Sequence, residues 1–169
     1  LHVSDIVRQQ NGDSDSDELP GIRDLVREGE DVLVQVVKDP LGNKGARLTT
    51  FITLPSRHLV LLPKGDSVGI SARIENDDER ERLRDMVAGL LGEAGLECGA
   101  IVRTVAEGQS REMLQADLEF LLKLWEEILA KNASQRAPYL LYQELDLTLR
   151  AVRDLLSSAN LVDHPNPGA

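Results

Sequence analysis

Gln35-Val36-Val37-Lys38-Asp39-Pro40-Leu41-Gly42-Asn43-Lys44-Gly45-Ala46-Arg47-Leu48-Thr49-Thr50 reads as two β-runs joined by a basic, glycine-rich turn. Upstream, Val32, Val34 and Val36 alternate with Leu33, Gln35 and Val37, a β-branched pattern apolar on nearly both sides, which predicts a mostly buried strand. Pro40 and Gly42 break it. The return run from Arg47 to Leu54 alternates more cleanly, as a half-buried strand does. Pro55-Ser56-Arg57 makes the next corner, and His58-Leu59-Val60-Leu61-Leu62 is a short apolar strand closed by Pro63. Short strands joined by Gly/Pro turns suggest a small barrel or sandwich.

The period changes at Asn76. Asn76-Asp77-Asp78-Glu79 reads as a capping box, in which Asn76 accepts from a backbone N–H and Glu79 reaches back. Leu83, Val87, Leu90 and Leu91 then recur at helical spacing, and Gly92 is expected to stop the helix. Cys98 to Thr104 is again β-like. Ser110 can cap a longer helix with Leu114, Leu118, Leu121, Leu122, Trp125, Ile128 and Leu129 on one side, ending near Asn132. A further helical pattern runs from Leu145 to Leu156. The stretches at 11–18 (Asn11 to Glu18) and 163–169 (Asp163 to Ala169) carry no packing signal and read as a surface loop and a tail. The fold class is therefore α+β: β-rich to about residue 74, then mixed α/β.

Charge is unevenly spread. The formal net charge is -10, yet Val32 to Ile74 holds six basic residues (Lys38, Lys44, Arg47, Arg57, Lys64, Arg73) against Asp39 and Asp66. That segment carries +4 and the remainder −14. A positive face on an anion-repelling body fits a local phosphate contact. Lys-rich hairpins also serve solubility and edge protection, and charge alone leaves both readings open. Aromatics at 3% are too scarce for a self-sufficient base-stacking platform. No apolar run approaches the roughly 20 residues of a membrane span. The single Cys98 excludes an internal disulfide framework and the composition reads as cytoplasmic. The chain lacks an initiator Met, as a piece of a longer or processed protein would.

Two constellations could carry chemistry. Gly42 and Gly45 permit close approach of backbone to a ligand, with Lys44 a point charge between them, although the P-loop order is absent. Arg103-Thr104, at the end of Ile101-Val102, offers a planar guanidinium fork and a hydroxyl suited to a terminal phosphate. An ion pair of Arg103 with Glu107 is the alternative. Asp13, Asp15 and Asp17 lack the Gly and closing Glu of a calcium loop. His2, His58 and His164 show no metal-ligand spacing, and no nucleophile arrangement is evident.

The quoted hairpin and Ile101-Val102-Arg103-Thr104 together resemble the ribonuclease E/G family, nearer its G branch. Supporting segments are Leu1-His2-Val3-Ser4-Asp5-Ile6, Leu54-Pro55-Ser56-Arg57, Arg73-Ile74-Glu75 and Ala106-Glu107-Gly108. The resemblance implies a bacterial endoribonuclease of single-stranded RNA, acting in rRNA and tRNA processing and mRNA decay. It implies that residues 1–50 are the later part of an S1-type OB-fold barrel, incomplete because its first strands would precede Leu1. Residues 51–150 would be a mixed α/β 5′-sensor, and 151–169 the start of a next element with a tail that departs from the family. Lys44 would contact RNA, with Arg73 in the same basic region. Arg103 and Thr104 would grip a 5′-monophosphate, Val60 would support the terminal nucleotide, and Ser56 sits where the E branch has a pocket glycine. The family's Mg²⁺-binding aspartates would lie after Ala169, so no cofactor is expected in this chain and homo-oligomers only at full length. The alternatives are a standalone, non-catalytic RNA-binding module, or a fragment whose unpaired edges prevent independent folding.

Overall fold

The computed structural model describes residues 1–6 and 21–144. The acidic run 11–18, the helical pattern from Leu145 and the tail lie outside the described residues. The chain divides into two units, Leu1–Ala137 and Pro138–Ala169. In the second, the described residues form no helix or strand.

A single 3₁₀ turn, Val3–Asp5, opens the unit, and a one-turn helix α1 (Ile22–Leu25) follows. Strands β1 (Gln35–Lys38) and β2 (Arg47–Thr49) form an antiparallel two-stranded sheet, in the register Gln35↔Thr49, Val36↔Leu48 and Lys38↔Arg47, with an irregularity between Val36 and Lys38. The Gln35 side chain extends the hairpin sideways: its carbonyl accepts from Thr53 N at 2.8 Å and its amide donates to Thr53 O at 3.0 Å. The expected burial of this strand does not occur. Val36 and Val37 are 54% and 51% exposed. Burial needs a second layer, and among the described residues β1 has only β2 beside it.

The larger sheet comprises β3 (Leu54–Pro55), β4 (Leu59–Leu62), β5 (Val68–Ile70) and β6 (Gly99–Val102), in the order β3-β4-β6-β5. β6 runs antiparallel to β4 and parallel to β5. A parallel pair needs a crossover, supplied by α2 (Asp77–Glu93) between β5 and β6. The second long helix, α3 (Arg111–Ser134), packs on β3 and β4 and against α2. Alternation along β4 and β6 buries Leu59, Leu61, Ala100 and Val102 beneath α2 and α3. Leu83, Val87, Leu90 and Leu91 of α2, and Leu114, Leu118, Leu121 and Ile128 of α3, complete the core. Leu129 falls off that stripe and is 43% exposed. Truncating Leu114 or Leu121, both 0% exposed, would cost about 2–5 kcal/mol through lost transfer energy and the cavity left behind.

The helix ends follow from local chemistry. Asn76 caps α2 by accepting from Glu79 N at 2.9 Å, and Ser110 caps α3 by accepting from Met113 N at 3.4 Å. The second half of the capping box does not form, because the Glu79 carboxylate is drawn to Arg82 and Gly108 instead. Gly92 stays helical. The helix stops at Gly95, whose φ of 65° is the left-handed conformation, with Gly95 N donating to Gly92 O and Leu96 N to Leu91 O in a Schellman closure. The architecture is mixed α+β with two sheets, three helices and no closed barrel among the described residues.

Candidate nucleic-acid interface

The chain leaves the core sheet at Val102 and turns outward through Arg103 into a 3₁₀ turn, Thr104–Ala106. Arg103 N donates to His58 O at 2.8 Å, which ties the exit to the β3–β4 corner. The Arg103 guanidinium donates from Nη1 to Ser56 O. It makes no ion pair with Glu107. One N–H of the fork is thus used to orient it, and the rest of its planar donor set remains on an exposed side chain. Thr104 Oγ1 lies 3.0 Å from Ser71 Oγ. Ser71 in turn accepts from Arg73 N at 3.4 Å, and its own N–H donates to Val102 O at 2.9 Å. Arg80 holds that turn from below, with Nη1 donating to Ser71 O at 2.8 Å and Ile74 O at 2.9 Å. Thr104 and the turn bearing Arg73 therefore meet through Ser71.

Val60 pairs with Ile101 in the β4–β6 ladder, on the side opposite the core residues Leu59 and Leu61. Pro55 and Gly69 continue the same row across the sheet. This is a shallow apolar shelf, with Ile101 39% exposed, beginning two residues before Arg103.

Beneath the corner sits a polar cluster. Ser56 and His58 are each only 3% exposed. Asp117 of α3 gathers donors on one oxygen: Ser56 Oγ at 2.5 Å, His58 N at 2.8 Å and Leu59 N at 3.1 Å, all to Oδ2. His58 Nδ1 lies 3.6 Å from the same oxygen, within ion-pair range but too far for a hydrogen bond, so this buried nitrogen has no hydrogen-bond partner. Burial pushes the Asp117 carboxyl up. The His58 ring, the Ser56 hydroxyl and the His58 N–H together outweigh that and hold it below the ordinary aspartate value. The Ser56 hydroxyl and N–H both point inward, the N–H to Leu59 O at 2.8 Å, which leaves its carbonyl for Arg103.

The loop after Thr104 is clamped from α2. Glu79 accepts from Gly108 N at 2.7 Å and takes both Arg82 donors, Nε at 2.6 Å and Nη2 at 2.7 Å. Arg82 Nη2 also donates to Gln109 O at 3.2 Å. The Arg82 fork and the Gly108 N–H lower the Glu79 carboxyl from the ordinary 4.5 to about 2.

Lys44 is elsewhere, at the tip of the β1–β2 hairpin. Leu41 and Lys44 exchange backbone hydrogen bonds of 3.0 Å in both directions, and Gly42 between them has φ 57°, which an L side chain rarely adopts. Lys38 faces Arg47 across the strands, a like-charge pairing that is unfavourable unless an anion compensates it. Arg47 has one, Asp5 at 3.1 Å. The carbonyl of Asp5 also accepts from Thr50 N and the Thr49 and Thr50 hydroxyls, docking the N-terminal turn onto β2.

The sequence-derived candidates thus fall in two places: Ser56, Val60, Arg73, Arg103 and Thr104 around the end of β6, and Lys44 on the separate hairpin. Residue patterns missed Asp117 and Ser71 as the groups that organise the first, and weighed His58 only against metal-ligand spacing, which it does not meet. The available signal for Asp117 was an acidic residue on the buried side of α3, one turn from Leu114 and Leu121. Among the described residues no group of three or more His, Cys, Asp or Glu is placed to hold a metal ion, and no helix is long and apolar enough to cross a membrane.

The chain belongs to the ribonuclease E/G family, whose family model matches residues 53–162, the stretch that holds the core sheet and Arg103-Thr104. Among individual relatives it is 44% identical to ribonuclease G of Haemophilus influenzae over 162 residues, covering 94% of this chain and 32% of that protein. It is 45% identical to ribonuclease G of Escherichia coli K12 over 158 residues, 91% of this chain and 32% of the relative. Ribonuclease E of the same strain is 47% identical over 150 residues, 86% of this chain and 14% of the relative. The chain spans about a third of the length of the ribonuclease G relatives it matches.

Proposed function

We propose that this chain is the RNA-binding, 5′-monophosphate-sensing part of a ribonuclease G-like endoribonuclease that acts on single-stranded RNA in the cytoplasm. The observation that carries the reading is the end of β6, where Arg103 is steered by Ser56 O yet keeps an exposed fork, with Thr104 and the Arg73 turn joined through Ser71. A terminal phosphate presents three oxygens and extra charge, which a planar fork plus a hydroxyl recognises and a point charge does not. The Val60–Ile101 shelf would take the apolar face of the terminal nucleotide. In this reading residues 1–50 are part of an S1-type OB-fold domain whose hairpin offers Lys44 to the RNA backbone, and residues 51–150 are the sensor. In this reading the chain contributes recognition of the RNA and its 5′ end, and hydrolysis by the family would rest on carboxylates placed around Mg²⁺.

Fluorescence anisotropy with single-stranded RNA oligomers bearing either a 5′-monophosphate or a 5′-hydroxyl tests this. The chain should prefer the monophosphate by about tenfold or more, the worth of one or two charge-assisted hydrogen bonds. Arg103→Ala should abolish the preference; a preference that survives this substitution would sink the assignment.

A further inference from the structure

We infer that Asp117 is a positioning residue for Arg103, acting through the Ser56–His58 corner; the inference rests on Arg103 being the phosphate-binding group. Three donors from Ser56, His58 and Leu59 converge on Asp117 Oδ2. The Ser56 proton has two acceptors within reach, Asp117 at 2.5 Å and Leu59 O at 3.0 Å, and the charged, closer one takes it. Ser56 is held by its hydroxyl and N–H, and the chain two residues on by His58 N on the same Asp117 oxygen; the Ser56 carbonyl between these anchors receives the Arg103 guanidinium. The other face of the corner, His58 O, receives Arg103 N. Both the backbone and the side chain of Arg103 therefore hang from a turn that α3 pins through one carboxylate.

The turn carries a local cost: desolvation of the Asp117 carboxylate is outweighed by its donors, but His58 Nδ1 is left buried without a hydrogen-bond partner. Such local costs concentrate where a site needs a fixed geometry. Arginine has four rotatable side-chain bonds and gains selectivity for a phosphate only when its fork is held in place.

Two readouts on the 169-residue chain test the inference. In the RNA-free protein, ¹⁵N relaxation of the Arg103 Nε–H reports the order of the guanidinium, and anisotropy gives the ratio of affinities for 5′-monophosphate and 5′-hydroxyl oligomers. Asp117→Ala should loosen the guanidinium and lower the ratio about tenfold, with 5′-hydroxyl RNA bound as tightly as before. Asp117→Asn, which keeps an acceptor oxygen for the three donors, should restore most of both. In the Arg103→Ala background, Asp117→Ala should change the ratio no further. A folded Asp117→Ala chain with an ordered guanidinium and an unchanged ratio overturns the inference. If Arg103→Ala leaves the ratio intact, the phosphate reading itself fails, while the relaxation measurement still decides whether Asp117 orders Arg103. Should the alanine variant not fold, Ser56→Ala cuts the same chain at its next link, and an unchanged ratio and order there counts equally against it.

Discussion

Gly99→Ala adds one methyl group at the point where β6 begins, and the surroundings dictate what it must cost. A Cβ built there would lie 2.6 Å from Ser67 O and 3.2 Å from the Cα and carbonyl carbon of Gly65. All three obstacles are backbone, so no side chain can swing aside. Relief requires β5 and β6 to part, which stretches the 3.1 Å hydrogen bond from Ala100 N to Ser67 O and the register Val68↔Ala100. Overpacking of this kind costs about 1–3 kcal/mol, offset by about 0.4–1 kcal/mol from the stiffer unfolded chain. The expected net loss is about 1–2 kcal/mol. Gly92→Ala is the control: it lies on α2 with nothing within 4 Å of the new methyl, and should stabilise by about 0.5–1 kcal/mol. Urea unfolding followed by circular dichroism measures both, with the slope unchanged if only the native state is affected. Because β6 delivers Arg103, Gly99→Ala should also weaken discrimination between 5′-phosphate and 5′-hydroxyl RNA. A Gly99→Ala chain as stable as the parent would refute the close-packing argument outright.

Lys44→Ala is expected to weaken binding of 5′-phosphate and 5′-hydroxyl oligomers alike, and to reduce the salt slope of log K by about 0.7, the single-strand value for one phosphate contact; anisotropy from 50 to 200 mM salt reads this. Asn76→Ala and Ser110→Ala each remove an N-cap and should cost about 1 kcal/mol by thermal or urea unfolding, with helix content retained. The Glu79 carboxyl is depressed from 4.5 to about 2, so its stabilising contribution is complete above pH 4.5 and is lost as pH falls towards 2. Glu79→Gln should therefore lower stability at neutral pH while flattening the acid limb over that window, as read by unfolding midpoints across pH.

Features set by neighbours in sequence were legible, and those set by distant partners were not. The turn from Leu41 to Lys44 and the caps at Asn76 and Ser110 use side chains and glycines within four residues of their targets. The burial stripe of α3 follows from its period, except where Leu129 rotates off it. By contrast β5 has only a three-residue run, Val68–Ile70, and becomes a strand by pairing in parallel with β6 across the whole of α2. Glu79 looked like half of a capping box. Arg82, one turn away, and Gly108, 29 residues on, compete for it and win. The exposure of Val36 and Val37 depends on whether a second layer exists, which a β-branched run does not encode. At the candidate site, Arg103 and Thr104 were visible as residue types at a strand end. Asp117, which gathers the Ser56–His58 corner beside Arg103, lies 59 residues from the His58 N–H it accepts from, and only the fold brings them together.

The central claim is that the end of β6 recognises a 5′-monophosphate, and one comparison tests it most directly. Two RNA oligomers of identical sequence, differing only in a 5′-monophosphate or a 5′-hydroxyl, are titrated with the unmodified chain at one salt concentration. The account gives the monophosphate an affinity about tenfold higher or more. Equal affinities for the two ends would contradict it.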